Sequence, residues 1–288
     1  MLVFLNGQYV PVGEARISAL DRGFIFGDGV YEVWRVVRGR LFEAARHQAR
    51  LERGLRELRI TPSADCSLER ITAIGERLLS EASLDDEATL YVEITRGAAA
   101  RTHYFPIVGT PATMLVMAGD FTPSASRFSG TKVITQADIR WLRCDVKTVQ
   151  LLPNVLARQA ATEAGASEAI FVRDRVITEG THTTVFAVID GVLRTHPANQ
   201  LVLPGVTRDV VIELARELGT TVREQAIAVD DLPRATELFL TGTTTDVTPV
   251  TSVDGRVIGK GSPGPTARVL LERLLERMGI PVMATTRG

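Results

Sequence analysis

Four dipeptides typical of tight β-hairpin turns divide the chain and limit the folds open to it more than any other feature. They are Asn6-Gly7, Arg38-Gly39, Asp190-Gly191 and Asp254-Gly255, and each follows a run rich in β-branched or aromatic residues. Asparagine, aspartate and glycine accept the positive φ angles that two-residue hairpin turns require. The pattern therefore predicts antiparallel strand pairs near both ends of the 288-residue chain.

Helical segments lie between these strands. Leu51, Leu55 and Leu58 recur with the spacing of one helix face, which predicts a helix beginning near Ala44. Further helices are predicted at 68–82, 153–165, 207–218 and 266–278. Strands are predicted at 89–96, 112–118, 131–135, 169–173, 183–189, 192–195, 237–241 and 247–253. This mixture predicts an α/β fold of the mixed α+β kind.

A break in the pattern divides the chain. Between Asp120 and Gly130 the sequence loses its periodicity and gains proline, serine and glycine, a composition typical of linkers. We therefore predict a small N-terminal α/β domain at 1–120, a linker at 121–130 and a larger C-terminal domain at 131–288.

The charge balance excludes some classes of partner. The chain has 34 acidic and 33 basic residues, so it offers no excess charge to nucleic acid or to an anionic membrane surface. Its first residues lack the basic and long apolar regions of a secretion signal, and no apolar run approaches the roughly 20 residues that cross a bilayer. We expect a cytoplasmic protein with small-molecule ligands and no nucleic acid or membrane partner. Cys66 and Cys144 lie far apart, which predicts neither a disulfide nor a metal site.

Lysine is scarce in this chain. Only Lys132, Lys147 and Lys260 are lysines, and Lys147 stands among apolar neighbours that predict burial. Burial disfavours the ammonium form and turns an amine into a nucleophile that can form an imine, a Schiff base, with an aldehyde. The plain alternative is a lysine whose stem lies along a strand edge while its amine reaches water.

Three polar segments in the C-terminal half suit a phosphorylated ligand with a basic ring. Glu179 begins a polar loop between two strands, and a carboxylate there can keep a pyridine nitrogen protonated. Val206 and Thr207 follow Leu203-Pro-Gly at a predicted helix start, where unpaired N–H groups attract phosphate. Thr243 and Thr244 belong to a third segment rich in hydroxyls. Taken singly, these residues read equally well as a solvated acid, an ordinary helix cap and a turn.

The order of these segments resembles the fold-type IV family of pyridoxal-phosphate enzymes and, within it, the D-amino acid aminotransferases. The resemblance covers nearly the whole chain, and it also includes several motifs not yet named. These are Asp21–Phe24, Phe26–Val33, His47 to Leu51, Ile94–Gly97, Arg101–Pro106 and Asp138–Lys147.

The resemblance implies a two-domain fold whose larger C-terminal domain is β-barrel-like with helices. It implies that Lys147 binds pyridoxal 5′-phosphate covalently and also moves the proton at the substrate Cα. Glu179 would face the pyridine nitrogen, and Leu203 would pack on the ring. The phosphate would be bound by Arg50, Val206, Thr207, Thr243 and Thr244.

The resemblance also implies a substrate and an oligomer. Arg101 and His103 would reach across the interface of a homodimer and bind the substrate α-carboxylate together with Tyr31. The expected reaction passes the amino group of a D-amino acid such as D-alanine to a 2-oxo acid such as 2-oxoglutarate, in two half-reactions. His182 departs from the small residues expected in the Glu179 loop, so it is expected to touch the substrate or to alter the cofactor surroundings.

Three alternatives stay open at this point. The first is another reaction on the same fold, either aminodeoxychorismate lyase or a branched-chain aminotransferase. The second is an (R)-amine transaminase. The third is a binding protein that keeps the fold without catalysis.

Overall fold

The computed structural model describes residues 1–281, which fall into two compact units. The first unit holds Met1–Thr122 and Val146–Leu151, and the second holds Pro123–Asp145 and the chain from Leu152 onward. The segment Val146–Leu151 thus belongs with the N-terminal part, although it follows the predicted linker in sequence. The reason is local: Thr148 forms a β-bridge with Val30, and Val146 packs into the apolar core of the first unit. The domain boundaries themselves stay a prediction.

The first unit is built on an antiparallel sheet of six strands in the order β2-β1-β6-β5-β3-β4. The strands are β1 (Leu2–Leu5), β2 (Gln8–Pro11), β3 (Gly29–Val37), β4 (Arg40–Leu41), β5 (Glu87–Thr95) and β6 (Thr113–Asp120). The helices are α1 (Arg22–Phe26), α2 (Ala44–Leu58) and α3 (Leu68–Glu81), with a 3-10 turn at Ala64–Cys66. Alternate residues of the strands and the apolar stripes of α2 and α3 form one core around Trp34, Leu51 and Ile71.

The second unit contains a sheet of ten strands. They are β7 (Thr131–Ala137), β8 (Glu168–Arg173), β9 (Val176–Gly180), β10 (Thr184–Ile189), β11 (Val192–Thr195), β12 (Val222–Glu224), β13 (Ile227–Ala228), β14 (Ala235–Gly242), β15 (Asp246–Val253) and β16 (Arg256–Val257). The helices are α4 (Ser126–Ser129), α5 (Leu152–Glu163), α6 (Val206–Glu217) and α7 (Pro265–Met278), with a 3-10 segment at Val229–Arg234. Within residues 1–281, none of the helices has both the length and the apolar composition of a membrane-crossing helix.

The ten-stranded sheet is strongly curved. Its order is β12-β11-β10-β14-β15-β7-β8-β9-β13, with β16 paired to β15. In a flat sheet, five steps of about 4.8 Å would put β9 roughly 24 Å from β10. The chain joins them through residues 181–183 alone, a connection that spans at most about 14 Å. The sheet must therefore curl, which agrees with the predicted barrel-like domain.

The hairpin and helix predictions are confirmed. The four predicted turns join β1 to β2, β3 to β4, β10 to β11 and β15 to β16. Three details differ from the expectation. Glu179 is predicted in a loop, but it lies in β9, a strand that is not among those predicted. The predicted linker contains a helical turn, α4, whose first N–H bonds to the hydroxyl of Ser124. The short strands β12 and β13 are not predicted, because two or three residues carry too little periodicity.

Candidate active site

Lys147 lies beside Tyr31 in the first unit. The backbone N–H of Tyr31 donates to the carbonyl of Lys147 at 3.1 Å, and that of Val149 donates to the carbonyl of Gly29 at 3.2 Å. This pairing holds the segment along β3 and brings the Lys147 amine to 4.0 Å from the centre of the Tyr31 ring. An ammonium group over an aromatic face is attracted by the ring quadrupole. Two predicted site residues, far apart in sequence, are thus in contact.

The burial predicted for the Lys147 segment is only partly correct. In the isolated chain the lysine itself is half-buried, and Val146 is buried. Trp141 and Leu142, however, are 39% and 62% exposed. Apolar residues in an irregular segment do not share one face, so their number does not determine how many are buried.

A buried charge cluster stands behind Tyr31. Arg50 donates to both carboxylate oxygens of Glu32 at 2.8 Å, and His47 Nδ1 lies 3.0 Å from Oε1 of the same group. Burial would raise the pKa of Glu32, but the charge and hydrogen bonds of Arg50 and the contact with His47 hold it well below its ordinary value. Burial lowers the pKa of His47, and the charges of Arg50 and Lys147 add to this effect. The structure therefore places Arg50, a predicted phosphate ligand, on Glu32.

Arg101 and His103 lie at the surface of the same unit. The segment that carries them is irregular. Both nevertheless lie on the ring of Phe26, with the Arg101 guanidinium 5.5 Å and the His103 ring 5.8 Å from its centre. The predicted carboxylate-binding pair is thus brought together and is exposed in the single chain.

Glu179 is buried at the end of β9 in the second unit. One carboxylate oxygen accepts from Arg140 in a very short contact, and the other accepts from the backbone N–H of Leu203 at 3.0 Å. Burial raises the pKa of Glu179 to about 7, although Arg140 and the Leu203 N–H pull it the other way. Glu179 and Leu203, both predicted cofactor contacts, are therefore adjacent.

The start of α6 offers donors for an anion. Gly205 is the N-cap of this helix and has no side chain that could accept a hydrogen bond. The first N–H groups of the helix, beginning at Val206, therefore receive no capping hydrogen bond from it. Thr207 is buried in the first turn. A Cβ atom at Gly205 would lie 3.0 Å from the hydroxyl of Thr184, so the backbone at the start of α6 approaches this side chain closely.

A second group of hydroxyls lies against Thr184. Thr241 of β14 pairs with Thr184 of β10, so the register of the sheet brings the loop that follows β14 next to the start of α6. Thr243 and Thr244 lie in that loop and are half-buried. Within the described part of the chain, the buried Thr241 hydroxyl has no hydrogen-bond partner. An orphaned hydroxyl and an uncapped helix start fit a phosphate group, which supplies the missing acceptors.

His182 contacts a buried acid. Its Nδ1 atom lies 3.0 Å from a carboxylate oxygen of Glu168. The Glu168 carboxylate also accepts hydrogen bonds from the hydroxyls of Thr181 and Thr183. Burial would raise the pKa of Glu168, but the hydrogen bond and charge of His182 lower it. The departure noted at His182 is thus part of a network that fixes the turn after Glu179.

Two residues of this site are missing from the sequence predictions. Arg140, the partner of Glu179, stands in the Asp138–Lys147 motif, so the signal was present without an assigned role. Glu168 gives no signal, since an acid at the start of a strand is common on protein surfaces. Only the fold shows that its side chain is buried.

The family model "Amino-transferase class IV" matches residues 29–253. The chain belongs to this family. It is 39% identical to "D-alanine aminotransferase" of Bacillus licheniformis over 93% of this chain and 94% of that protein. It is 38% identical to the protein of the same name from Staphylococcus aureus strain N315, over 94% and 95%.

Solved structures agree with this assignment. The branched-chain amino acid aminotransferase of Escherichia coli superposes with a TM-score of 0.89 and 25% identity over 99% of this chain and 97% of that one. A branched-chain amino acid aminotransferase from T.th., solved with pyridoxamine 5′-phosphate, gives 0.86 and 29% over 96% and 94%. The predicted fold, the aminotransferase class and the pyridoxal 5′-phosphate cofactor are confirmed.

Proposed function

We propose that this aminotransferase moves the amino group of a D-amino acid, with D-alanine as the reference donor, to a 2-oxo acid such as 2-oxoglutarate. The observation that carries the proposal is the identity of 39% with a D-alanine aminotransferase along 93% of the chain. The position of Arg101 and His103 around the Phe26 ring supports it, because both side chains carry nitrogen donors that suit a substrate carboxylate. The proposed location of the protein is the cytoplasm.

Lys147 binds the cofactor and is the base of the reaction. Pyridoxal 5′-phosphate supplies an aldehyde for the amine and a ring that withdraws electrons from the substrate Cα. The Lys147 amine would take the proton from that Cα atom and deliver it to the C4′ atom, and it would move a proton in the opposite direction in the second half-reaction. The contact with Tyr31 limits the directions that the amine can take.

Glu179 would hold the ring nitrogen in its protonated form, and Leu203 would pack on the ring. The hydrogen bonds from Arg140 and the Leu203 N–H fix the orientation of the Glu179 carboxylate. The phosphate ligands are Arg50, Val206, Thr207, Thr243 and Thr244. The uncapped start of α6 supports the role of Val206 and Thr207.

Arg101 and His103 bind the substrate carboxylate with Tyr31, and His182 lines the substrate side of the Glu179 loop. We propose a homodimer in which Arg101 and His103 serve the partner's site. The exposure of both side chains in the single chain supports this arrangement.

Trapping the cofactor tests the role of Lys147. The holoenzyme is reduced with borohydride and digested, and the pyridoxyl label is located by mass spectrometry. We expect the label on Lys147, with Lys132 and Lys260 as internal controls. A label on Lys132 or Lys260 contradicts the assignment. The absence of a label from all three lysines also contradicts it.

The donor is tested by product analysis. D-Alanine and 2-oxoglutarate should yield pyruvate and D-glutamate, while L-alanine should yield far less product. Release of pyruvate from aminodeoxychorismate in the absence of any 2-oxo acid would instead indicate a lyase.

A second candidate is a branched-chain aminotransferase, which is favoured by the solved structures with TM-scores of 0.86 and 0.89. It predicts turnover of L-leucine or L-valine at rates above those with D-alanine. The two donors are compared at equal concentration with the same 2-oxo acid. Preference for the L-donors contradicts the proposed function and leaves the role of Lys147 intact.

A further inference from the structure

The Asp21–Phe24 motif has no role in the site described so far. Residues 22–26 form α1, with Asp21 as its cap and Gly27 in the left-handed conformation at its end. Asp21 also forms a β-bridge with Ala98. This short helix therefore lies against the start of the segment that carries Arg101 and His103.

Arg22 binds the backbone on both sides of His103. Its side chain is almost fully buried, and its guanidinium donates to the carbonyl of Thr102 at 2.8 Å and to that of Tyr104 in a longer contact of 3.5 Å. The same guanidinium donates to Asp28 at 2.8 Å. A planar guanidinium can serve such divergent acceptors at once, whereas a lysine ammonium at the end of a flexible stem cannot do so in one fixed geometry.

Asp28 fixes the position of Arg22. It accepts two hydrogen bonds from Arg96 at 2.8 and 2.9 Å, in addition to the one from Arg22. Partial burial would raise the pKa of Asp28, but the hydrogen bonds and charges of Arg96 and Arg22 lower it. Arg96 in turn donates to the carbonyls of Leu58 and Arg59 at the end of α2. The network thus ties the Arg101–His103 segment to a packed helix.

Phe26 provides the surface for the pair. Its ring lies 4.7 Å from the Arg22 guanidinium, 5.5 Å from that of Arg101 and 5.8 Å from the ring of His103. One aromatic side chain therefore contacts the buried arginine and both exposed residues.

We propose that Arg22, held by Asp28 and stacked on Phe26, is a positioning residue for substrate carboxylate recognition. It keeps Arg101 and His103 in the binding geometry before substrate arrives. The loss of side-chain conformational entropy on substrate binding is therefore smaller. The inference rests on the proposed function, in which Arg101 and His103 bind the carboxylate.

The test compares purified holoenzymes carrying Arg22→Lys, Phe26→Leu or Arg101→Met. The control is Arg70→Lys, an exposed arginine of the same unit that pairs with Asp65. For Arg22→Lys and Phe26→Leu we expect the KM for D-alanine to rise about tenfold, because displacement of Arg101 and His103 would weaken about one charge-assisted hydrogen bond to the carboxylate. The kcat at saturation and the absorbance of bound cofactor should change less than about twofold. The control should match the wild type.

The outcomes distinguish the positioning role of Arg22 from the carboxylate-binding role of Arg101 and His103. If Arg101→Met raises the KM and neither Arg22→Lys nor Phe26→Leu does, positioning by Arg22 is wrong and the carboxylate site stands. If Arg101→Met leaves the KM unchanged, the proposed carboxylate site is wrong and this inference falls with it. If Arg22→Lys folds poorly by circular dichroism, Phe26→Leu decides, because it leaves the buried ion pairs in place. A fall in kcat and cofactor content without a change in KM indicates a purely structural role and overturns the proposal.

Discussion

Two buried carboxylates share one guanidinium in the second unit. Arg140 donates to Asp138 at 2.8 Å and also to Glu179. Burial would raise the pKa of Asp138, but its hydrogen bonds with Arg140 and Thr178 lower it. The pKa of Glu179 is raised to about 7 by burial. In the cofactor-free protein we therefore expect Glu179 to be the acid that keeps its proton near neutral pH.

This difference predicts the sign of a pH effect on folding. The ordinary value for the Glu179 carboxyl group is 4.5, so between 4.5 and about 7 the folded chain holds a proton that the unfolded chain has lost. A folded state that binds more protons loses stability as the pH rises. The difference between these two pKa values corresponds to at most about 3 kcal/mol of unfolding free energy. The folded protein loses this free energy progressively as the pH rises from 4.5 to about 7.

The variant Glu179→Gln isolates this contribution, because glutamine keeps the shape and cannot ionise. We expect urea unfolding of the cofactor-free proteins to show the variant gaining about 1–3 kcal/mol relative to the wild type as the pH rises through that window. The control is Glu272→Gln, an exposed acid of the same unit. A difference between variant and wild type that stays constant with pH would refute the reasoning. A difference of opposite sign would mean that Arg140 keeps Glu179 ionised throughout.

Three further substitutions test the rest of the structure by the same unfolding measurement. Glu168→Gln removes the negative charge and one of the two acceptor oxygens that serve His182 and two threonine hydroxyls, and it should cost about 1–3 kcal/mol at neutral pH. Because the pKa of Glu168 is lowered, this cost should shrink as the pH falls below 4.5, and a cost independent of pH contradicts it. Gly97→Ala places a Cβ atom in contact with the carbonyl of Pro111 at a φ of +85°, so a loss on the order of 2 kcal/mol is expected, and an unchanged urea midpoint counts against it. Phe186→Ala removes a fully buried ring stacked at 5.2 Å on another phenylalanine and should cost about 3–5 kcal/mol; a cost below about 1 kcal/mol would mean that the core repacks.

The fold was largely predictable because its signals are local. Asn6-Gly7 and the other three turn dipeptides fix hairpins through the φ angles that they allow, and the leucine stripe of α2 is readable from its spacing alone. The order of strands in the ten-stranded sheet is not local. The pairing of β15 with β7 joins positions more than 110 residues apart, and no turn residue records it.

The candidate site was predictable where one side chain carries a distinctive chemistry. Lys147 could be selected because the chain has two other lysines, both in unremarkable contexts. Arg22 could not be selected in this way among 30 arginines, since its role depends on two backbone carbonyls more than 75 residues away. The sequence motif identified the segment, and only the hydrogen bonds identify what the segment does.

The different pKa values of Asp138 and Glu179 are a further property that the sequence does not reveal. A sequence gives two acids nearly equal ordinary pKa values, and even the motif that joins Asp138 to Arg140 does not reveal that the arginine also serves Glu179. Asp138 accepts several hydrogen bonds from Arg140 and one from Thr178, whereas Glu179 accepts one from Arg140 and one from Leu203. Burial raises the pKa of both carboxyl groups, and the larger number of donors around Asp138 outweighs this effect there but not at Glu179. Glu179, with fewer donors, is left able to respond to a positively charged ring nitrogen, and this response is what its proposed role requires.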